Sequence, residues 1–228
     1  MRNCPDAVML FCAGRGTRMG ALTTHRPKPM VEVAGRPLVD HALAQLADIP
    51  TRVANTHYLP EALEAHLARR GVQTLFEPQL LETGGGLKHA AAQFSHEAVF
   101  TMNTDAVWLG GTAVKTLVEA WDPDRMDALL LTVPLSRTHG HMGSGDFERS
   151  PDGQLARGGD LVYTGFQIIK LAPVMAVPEA VFSMNVVWNA LHAQARLFGA
   201  VFDGAWCDVG HPEGIEIAET ALKDHGYV

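Results

Sequence analysis

The chain has 228 residues, 47% of them apolar, which is enough for one sizeable core and crowded for two. Its 18 Lys and Arg against 25 Asp and Glu leave a net charge of −7 with no basic run, so the bulk field repels polyanions and excludes nucleic acid as an expected partner. No apolar stretch approaches the roughly 20 residues of a membrane helix. Residues 1–6 carry no apolar targeting segment, and Cys4, Cys12 and Cys207 lack Cys-x-x-Cys spacing, so the expectation is a soluble cytoplasmic protein in a reducing compartment.

An apolar strand over residues 7–12 opens the chain and runs into Ala13-Gly14-Arg15-Gly16-Thr17-Arg18, a turn with two glycines and two arginines. Glycines admit positive φ and bring backbone N–H groups close to phosphate oxygens, while Arg18 and Lys28 supply fixed positive charge. The same Gly-x-Gly also serves as a plain tight βα turn. Lys28 shifts the balance toward an anion site. It lies between Pro27 and Pro29, where its backbone is expected neither to join a helix nor to complete a ladder.

Leu38, Ala42 and Leu46 have helical spacing over 38–46, residues 51–54 read as a short strand, Pro60 starts a helix with Leu63 and Leu67 on one side, and 72–76 is a third strand. A second glycine-rich loop, Glu82-Thr83-Gly84-Gly85-Gly86, opens a helix to about residue 93. A buried strand over 98–102 ends in Asn103-Thr104-Asp105, followed by a helix over 112–121 and a strand over 128–134. Beyond these come a hairpin about Pro151-Asp152-Gly153, a strand over 162–171, a helix over 184–197, a final pair of strands at 200–202 and 206–209, and a closing helix over 212–223. Trp108 and Trp121 are candidates for core or for an exposed interface. This βαβα succession implies an α/β domain with a mostly parallel sheet, helices on both faces, and a ligand at the carboxyl ends of the strands.

Asp105 stands just past a buried strand, and Asp208 sits in Trp206-Cys207-Asp208-Val209-Gly210. Each alone reads equally as a turn or cap residue. Two hard oxygen ligands at strand ends are also what a Mg²⁺ bridging substrate phosphates requires, because that ion keeps waters and takes one or two carboxylates. The eleven histidines are scattered, His139 and His141 read as part of a mobile loop rather than a metal site, and no Ser/His/Asp or Cys/His arrangement is evident.

Residues 11–23 read Phe-Cys-Ala-Gly-Arg-Gly-Thr-Arg-Met-Gly-Ala-Leu-Thr and are followed by Pro27-Lys28-Pro29. This resembles the opening of the sugar-1-phosphate nucleotidyltransferases, Leu-Ala-Ala-Gly-x-Gly-Thr-Arg-Leu/Met-x-Pro-Leu-Thr and then Pro-Lys-Pro, with Cys12 and Ala21 as departures that change packing rather than charge. The resemblance implies a Rossmann-like, three-layer αβα fold with a mostly parallel mixed sheet. It implies one domain over 1–228, with a nucleotide-binding half to about 110 and a sugar-binding half beyond. The substrates it implies are a nucleoside triphosphate and a sugar 1-phosphate, with pyrophosphate as leaving group and no general base, since the attacking phosphate is already ionised. Arg18 and Lys28 would hold the triphosphate beside the backbone of Ala13, Gly14, Gly16 and Thr17. Mg²⁺ would sit on Asp105 and Asp208, where the family's Asn-Gly-Asp and Trp-x-Asp-Val-Gly-Thr segments carry Thr104 for the Gly and His211 for the Thr.

Within that superfamily, Leu81-Glu82-Thr83-Gly84-Gly85-Gly86, Asn55-Thr56-His57-Tyr58 and Gly143-Ser144-Gly145-Asp146-Phe147 look most like the enzymes that uridylylate N-acetylmuramic acid α-1-phosphate in peptidoglycan recycling. By that likeness the backbone of residues 84–86 passes near the uracil, with Glu82, Gly84 and Gly85 among the nucleotide-binding residues, Asn103 and Asp146 hold the sugar phosphate or its hydroxyls, and Thr164-Gly165 match a sugar-side Thr/Ser-Gly. On the residues alone, Asp146 is equally an acid starting a hairpin strand, and Gly165 equally relieves crowding. The Glu-Lys-Pro lysine of glucose- and mannose-activating relatives is missing, and Lys170 reads as a surface residue. Guanylyl-, thymidylyl- and cytidylyltransferases share the front loop and remain alternatives. A glycosyltransferase would show Asp-x-Asp where this chain has Asp105-Ala106-Val107, and a non-catalytic homologue would have lost Arg18, Lys28 or an aspartate.

Overall fold

In the computed structural model, which describes residues 4–227, the elements run in chain order from β1 (Ala7–Phe11) through a small hairpin of β2 (Glu32–Val33) and β3 (Arg36–Pro37). Residues 1–3, part of the start read as lacking a targeting segment, and Val228 lie outside the described residues. There follow α1 (Leu38–Gln45), β4 (Thr51–Thr56), α2 (Pro60–Ala68), β5 (Gln73–Phe76), α3 (Glu82–Ala90), β6 (Ala98–Asn103), β7 (Ala106–Leu109), α4 (Ala113–Ala120) and β8 (Ala128–Pro134). The remainder is β9 (Thr138–His139), β10 (Phe147–Arg149), β11 (Leu155–Arg157), β12 (Leu161–Lys170), α5 (Leu171–Met175), α6 (Met184–Ala193), β13 (Leu197–Val201), β14 (Ala205–Asp208) and α7 (Glu213–Asp224).

The unbroken apolar run of β1 makes it a central strand, buried on both faces and paired in parallel with β4 and β6. Val8 and Leu10 face one apolar layer with α1, α2 and α4, through Val39, Leu46, Leu63, Leu67 and Leu117. Ala7 and Met9 face the other with α3 and α6, through Leu87, Ala90, Val187 and Leu191. The period-two alternation of a strand thus builds the three-layer αβα sandwich. β5 extends the sheet parallel to β4, and β13 lies parallel to β8. β12 runs antiparallel to both β6 and β8, and beside its first residues the β10–β11 hairpin completes nine strands. The sheet is therefore mixed and mainly parallel. No helix among the described residues is long and apolar enough to cross a membrane.

Three local expectations need correction, and one open alternative is settled. Residues 82–86 are the first turn and a half of α3, not a loop. The helix from Met184 stops at Ala193, because Ala195 takes φ 54 and the Arg196 N–H turns back to the Leu191 carbonyl, so Leu197 belongs to β13. The two last strands do not pair. β13 joins the main sheet, while β14 lies between β7 and β9 in a separate three-stranded sheet, and β7 had no sequence signal strong enough to name it. Trp108 and Trp121 are both core residues.

Candidate active site

Strand register brings distant segments to one level. Phe11 pairs with Asn55 on one side and Asn103 on the other, while Thr56 pairs with Phe76 at the end of β5. The residues just beyond these strand ends, Ala13, Gly14, Glu77 and Asp105, line a cavity of about 330 Å³ at the carboxyl edge of the parallel strands. Lys28 and Pro29 close one side, Glu82 and Thr83 another, and Asn103 lies in the wall.

The front loop is built around Lys28. Gly16 takes φ 64, and a Cβ there would lie 2.9 Å from the Lys28 Cβ and 3.0 Å from Thr23 Cγ2, so glycine is what lets the turn close on the lysine stem. Thr23 ties the turn from the other side, its hydroxyl donating to the Gly16 carbonyl at 3.0 Å. Pro27 is extended, and Lys28–Met30 form a single 3-10 turn, which is all the helix the flanking prolines permit. Lys28 is only 11% exposed, and its Nζ donates to Asp105 Oδ2 at 2.7 Å. Arg18 is solvent-exposed, with its guanidinium against the turn at Gly210, while Thr17 lines a separate groove with Arg15 and Tyr58.

Asp105 and Asp208 come together through the β7–β14 ladder. Asp208 stands opposite Ala106, and the Val209 N–H donates to the Asp105 carbonyl at 2.9 Å. Burial, and next the negative charge of Asp105, raise the Asp208 pKa above the usual carboxylate value, against the Gly210 N–H that donates to its Oδ1 at 2.8 Å. His141, read as part of a mobile loop, instead lies over Trp206 with its Nδ1 3.9 Å from Asp208 Oδ2. Two hard carboxylates crowded at strand ends, one of them penalised by the other's charge, form a donor set that fits a divalent ion such as Mg²⁺. Among the described residues no group of three or more His, Cys, Asp or Glu side chains gathers as a metal site, so an ion here would take its remaining ligands from water or substrate.

The other candidate residues are placed as follows. The N–H groups of Gly84 and Gly85 both donate to the Phe182 carbonyl at 3.0 Å, and a Cβ on Gly84 would lie 2.3 Å from the Phe182 ring. These glycines admit the 180–183 segment onto α3 and do not line the cavity, whereas Glu82, in the left-handed region at φ 60, does. Asn103 packs on Gly165, whose φ of 81 and missing Cβ give it room, and Thr164 is buried with its hydroxyl on the Leu131 carbonyl at 2.9 Å. Asp146 lies outside the cavity lining and accepts the Tyr163 N–H at 2.9 Å.

Glu77, which motif reading did not single out, and Asn55, quoted in a subfamily segment but given no role, form the polar floor. Asn55 accepts the Cys12 N–H at 2.8 Å and donates to Glu77 Oε1 at 2.8 Å, and Glu77 Oε2 accepts the Leu81 N–H at 3.2 Å. The signal that finds them is the one used for Asp105, a polar residue at the end of an apolar strand. Cys12 is inert here, its thiol pushed up to about 12 by burial.

Comparison with known proteins gives the family and the fold. The model of the MobA-like NTP transferase domain matches residues 8–201. The N-acetylmuramate alpha-1-phosphate uridylyltransferase of Caulobacter vibrioides is 39% identical, over 98% of this chain and 100% of that protein, and the enzyme of the same name from Neisseria meningitidis is 29% identical over 89% and 92%. In fold, HddC from Yersinia pseudotuberculosis, in complex with GMP-PN, superposes with a TM-score of 0.75 over 95% of this chain and 99% of its own at 18% identity. The chain therefore belongs to the MobA-like NTP transferase family and is an enzyme of the sugar-1-phosphate nucleotidyltransferase type.

Proposed function

We propose that this enzyme transfers the uridylyl group of UTP to N-acetylmuramic acid α-1-phosphate, in the cytoplasm, as a step of peptidoglycan recycling. The observation that carries the chemistry is the convergence of Lys28, Asp105 and Asp208 at one edge of the sheet beside the cavity; the near full-length relative supports the choice of sugar and base. In our reading residues up to about 110 serve the nucleotide and those beyond serve the sugar.

The reaction joins two polyanions, so positioning and charge neutralisation carry it. A phosphate oxygen of the sugar 1-phosphate forms a bond to the α-phosphorus of the triphosphate. The bond from that phosphorus to the bridging oxygen breaks, and its electron pair leaves on pyrophosphate. No proton needs to move. Lys28, held by Gly16 and the two prolines, exchanges its contact with Asp105 for the phosphates, and Arg18 adds a second cation from the loop. Asp105 and Asp208 would hold Mg²⁺, which supplies Lewis-acid charge neutralisation of the phosphates when bound. Asn55 and Glu77 fix the floor on which the nucleotide rests, and Asn103, seated on Gly165, faces the sugar side.

The test is pyrophosphate release from UTP, dTTP, GTP and CTP, each with Mg²⁺, against the 1-phosphates of N-acetylmuramic acid, N-acetylglucosamine, glucose and mannose. Release confined to UTP with the muramic acid phosphate is the expected outcome. Release with another pair keeps the chemistry and replaces the substrates, and silence across the panel in folded protein overturns the proposal.

A further inference from the structure

The loop over residues 140–146, between β9 and β10, is moulded onto Asp208. β9 runs parallel to β14 with His139 opposite Cys207, so the loop starts level with that aspartate. Gly140 takes φ 74, and a Cβ there would lie 2.7 Å from the Asp208 carbonyl oxygen. A Cβ on Gly143 would lie 2.6 Å from His141 Nε2. The loop backbone thus packs on the strand of Asp208 at one point and on the imidazole of His141 at another. The ring is held over Trp206, and its side chain is 16% exposed. Packing does not account for an imidazole in this place. Its Nε2 is buried without a hydrogen-bond partner, a cost that a phenyl ring over Trp206 would not carry. What histidine alone offers here is Nδ1, 3.9 Å from Asp208 Oδ2. A neutral ring with its proton on Nε2 would turn a lone pair toward the carboxylate, so the proton belongs on Nδ1, and the charged ring carries one there as well. In either form an N–H faces Oδ2.

We infer that His141 is a positioning residue for the divalent-ion site, its Nδ1–H closing on Asp208 Oδ2 and fixing the plane of that carboxylate. The inference rests on Asp105 and Asp208 as the ion's protein ligands, the reading given above, and not on which sugar is the substrate. Oδ1 of Asp208 is already held by the Gly210 N–H at 2.8 Å, so the second donor, from His141, sets the remaining freedom of the group. A separation of 3.9 Å is longer than a hydrogen bond, and contacts of this kind tighten when the reacting ligands are bound. A donor on a ligating carboxylate governs its orientation, and the loss of such a donor weakens metal binding by about 10- to 100-fold.

The test is calorimetric titration of the full chain with a non-hydrolysable α,β-methylene analogue of the triphosphate that the wild type turns over, UTP on the proposed function. Run once with Mg²⁺ and once with EDTA, it gives the factor by which the ion strengthens nucleotide binding. In His141→Phe, which keeps a ring over Trp206, that factor falls about tenfold, while the affinity in EDTA stays at the wild-type value. In His141→Asn, whose amide nitrogen stands in for Nδ1, most of the factor returns. Thermal midpoints check that both variants are folded. An unchanged factor in His141→Phe, or an asparagine variant no better than the phenylalanine one, would overturn the inference. So would an equal loss of affinity with and without Mg²⁺, which marks a residue that only packs. A wild type whose binding is indifferent to Mg²⁺ refutes the two-aspartate site and this inference with it, whereas the other adverse outcomes, with Mg²⁺ dependence retained, refute the inference alone.

Discussion

Two lysine–aspartate pairs sit at opposite ends of the main sheet, each closed at 2.7 Å, and they differ in what surrounds them. Lys28 meets Asp105 at the carboxyl edge of the parallel strands; Lys170 meets Asp127 at the other edge, where the end of β12 lies beside the start of β6. Asp127 also accepts from Arg196 at 2.9 Å, so two cations face one carboxylate and the pair is a saturated clamp. Asp105 instead has a second carboxylate for a neighbour, and Asp208 is pushed above its ordinary pKa partly by that charge. On the proposed function, the same contact at the same distance is structural where charge is in surplus on the cation side and reactive where it is in surplus on the anion side, because only the second has something to gain from a phosphate and a metal ion.

The largest expected effect follows from removing the reactive lysine. In Lys28→Ala turnover falls by a factor on the order of 10² to 10³, as it does when one preorganised donor to a developing charge is deleted, while the thermal midpoint moves little because the residue lies on a loop. Single-turnover pyrophosphate release and circular dichroism read the two quantities separately. Near-normal turnover in the folded variant would place Lys28 with Lys170, as a clamp.

A smaller effect is expected from displacing that lysine without removing it. Gly16→Ala puts a methyl 2.9 Å from the Lys28 Cβ on a backbone at φ 64, at a cost of about 1–2 kcal/mol. The lysine stem must give way, so turnover drops about tenfold. Gly84→Ala is the contrasting substitution. Its methyl meets the Phe182 ring and carbonyl, far from the phosphate loop in function, so the loss is in the urea midpoint and the turnover per folded molecule stays close to wild type. Equal losses of stability and activity in both variants would show that the two glycine segments do one job.

That contrast also marks how far the sequence could be read. Both segments are rich in glycine, and only the first is a loop, closed on Lys28; the second is helical, and its glycines answer to Phe182, about a hundred residues away, which no local pattern announces. The central strands were legible because β1, β6 and β8 are continuous apolar runs, and Asp105 and Asp208 were legible as acids with no packing reason to stand at strand ends. The end of α6 was not, because an alanine rather than a glycine takes the left-handed position at 195. Nor was the destination of β14. The strand itself reads from its apolar residues, but its partners β7 and β9 are short and are chosen by the tertiary arrangement around α7. Lys170 was read as a surface residue for a similar reason, since its partner Asp127 lies across the sheet and Arg196 arrives from the loop after α6.

The smallest effect tests the saturated clamp itself. Burial pushes the Asp127 carboxyl up, but hydrogen bonds from Arg196 and Lys170 outweigh it and hold the group below the ordinary carboxylate range. A pKa depressed in the folded state means that the unfolded chain takes up the proton first. The stabilisation is therefore fully present above the unfolded value of about 3.9 and is lost as the pH falls through the folded one. Asp127→Asn removes that contribution, on the order of 1 kcal/mol for a partly exposed cluster, and leaves Lys170 with the Pro123 carbonyl and Arg196 with the Asp124 carbonyl. Urea denaturation of the two proteins side by side should show a constant gap from neutrality down to about pH 5, which narrows below that as the wild-type carboxylate is protonated. Turnover at neutral pH should be the same in both. A gap that keeps its size into the acid range would mean that Asp127 acts through its shape and not its charge, and a loss of turnover would mean that the two ends of the sheet are coupled.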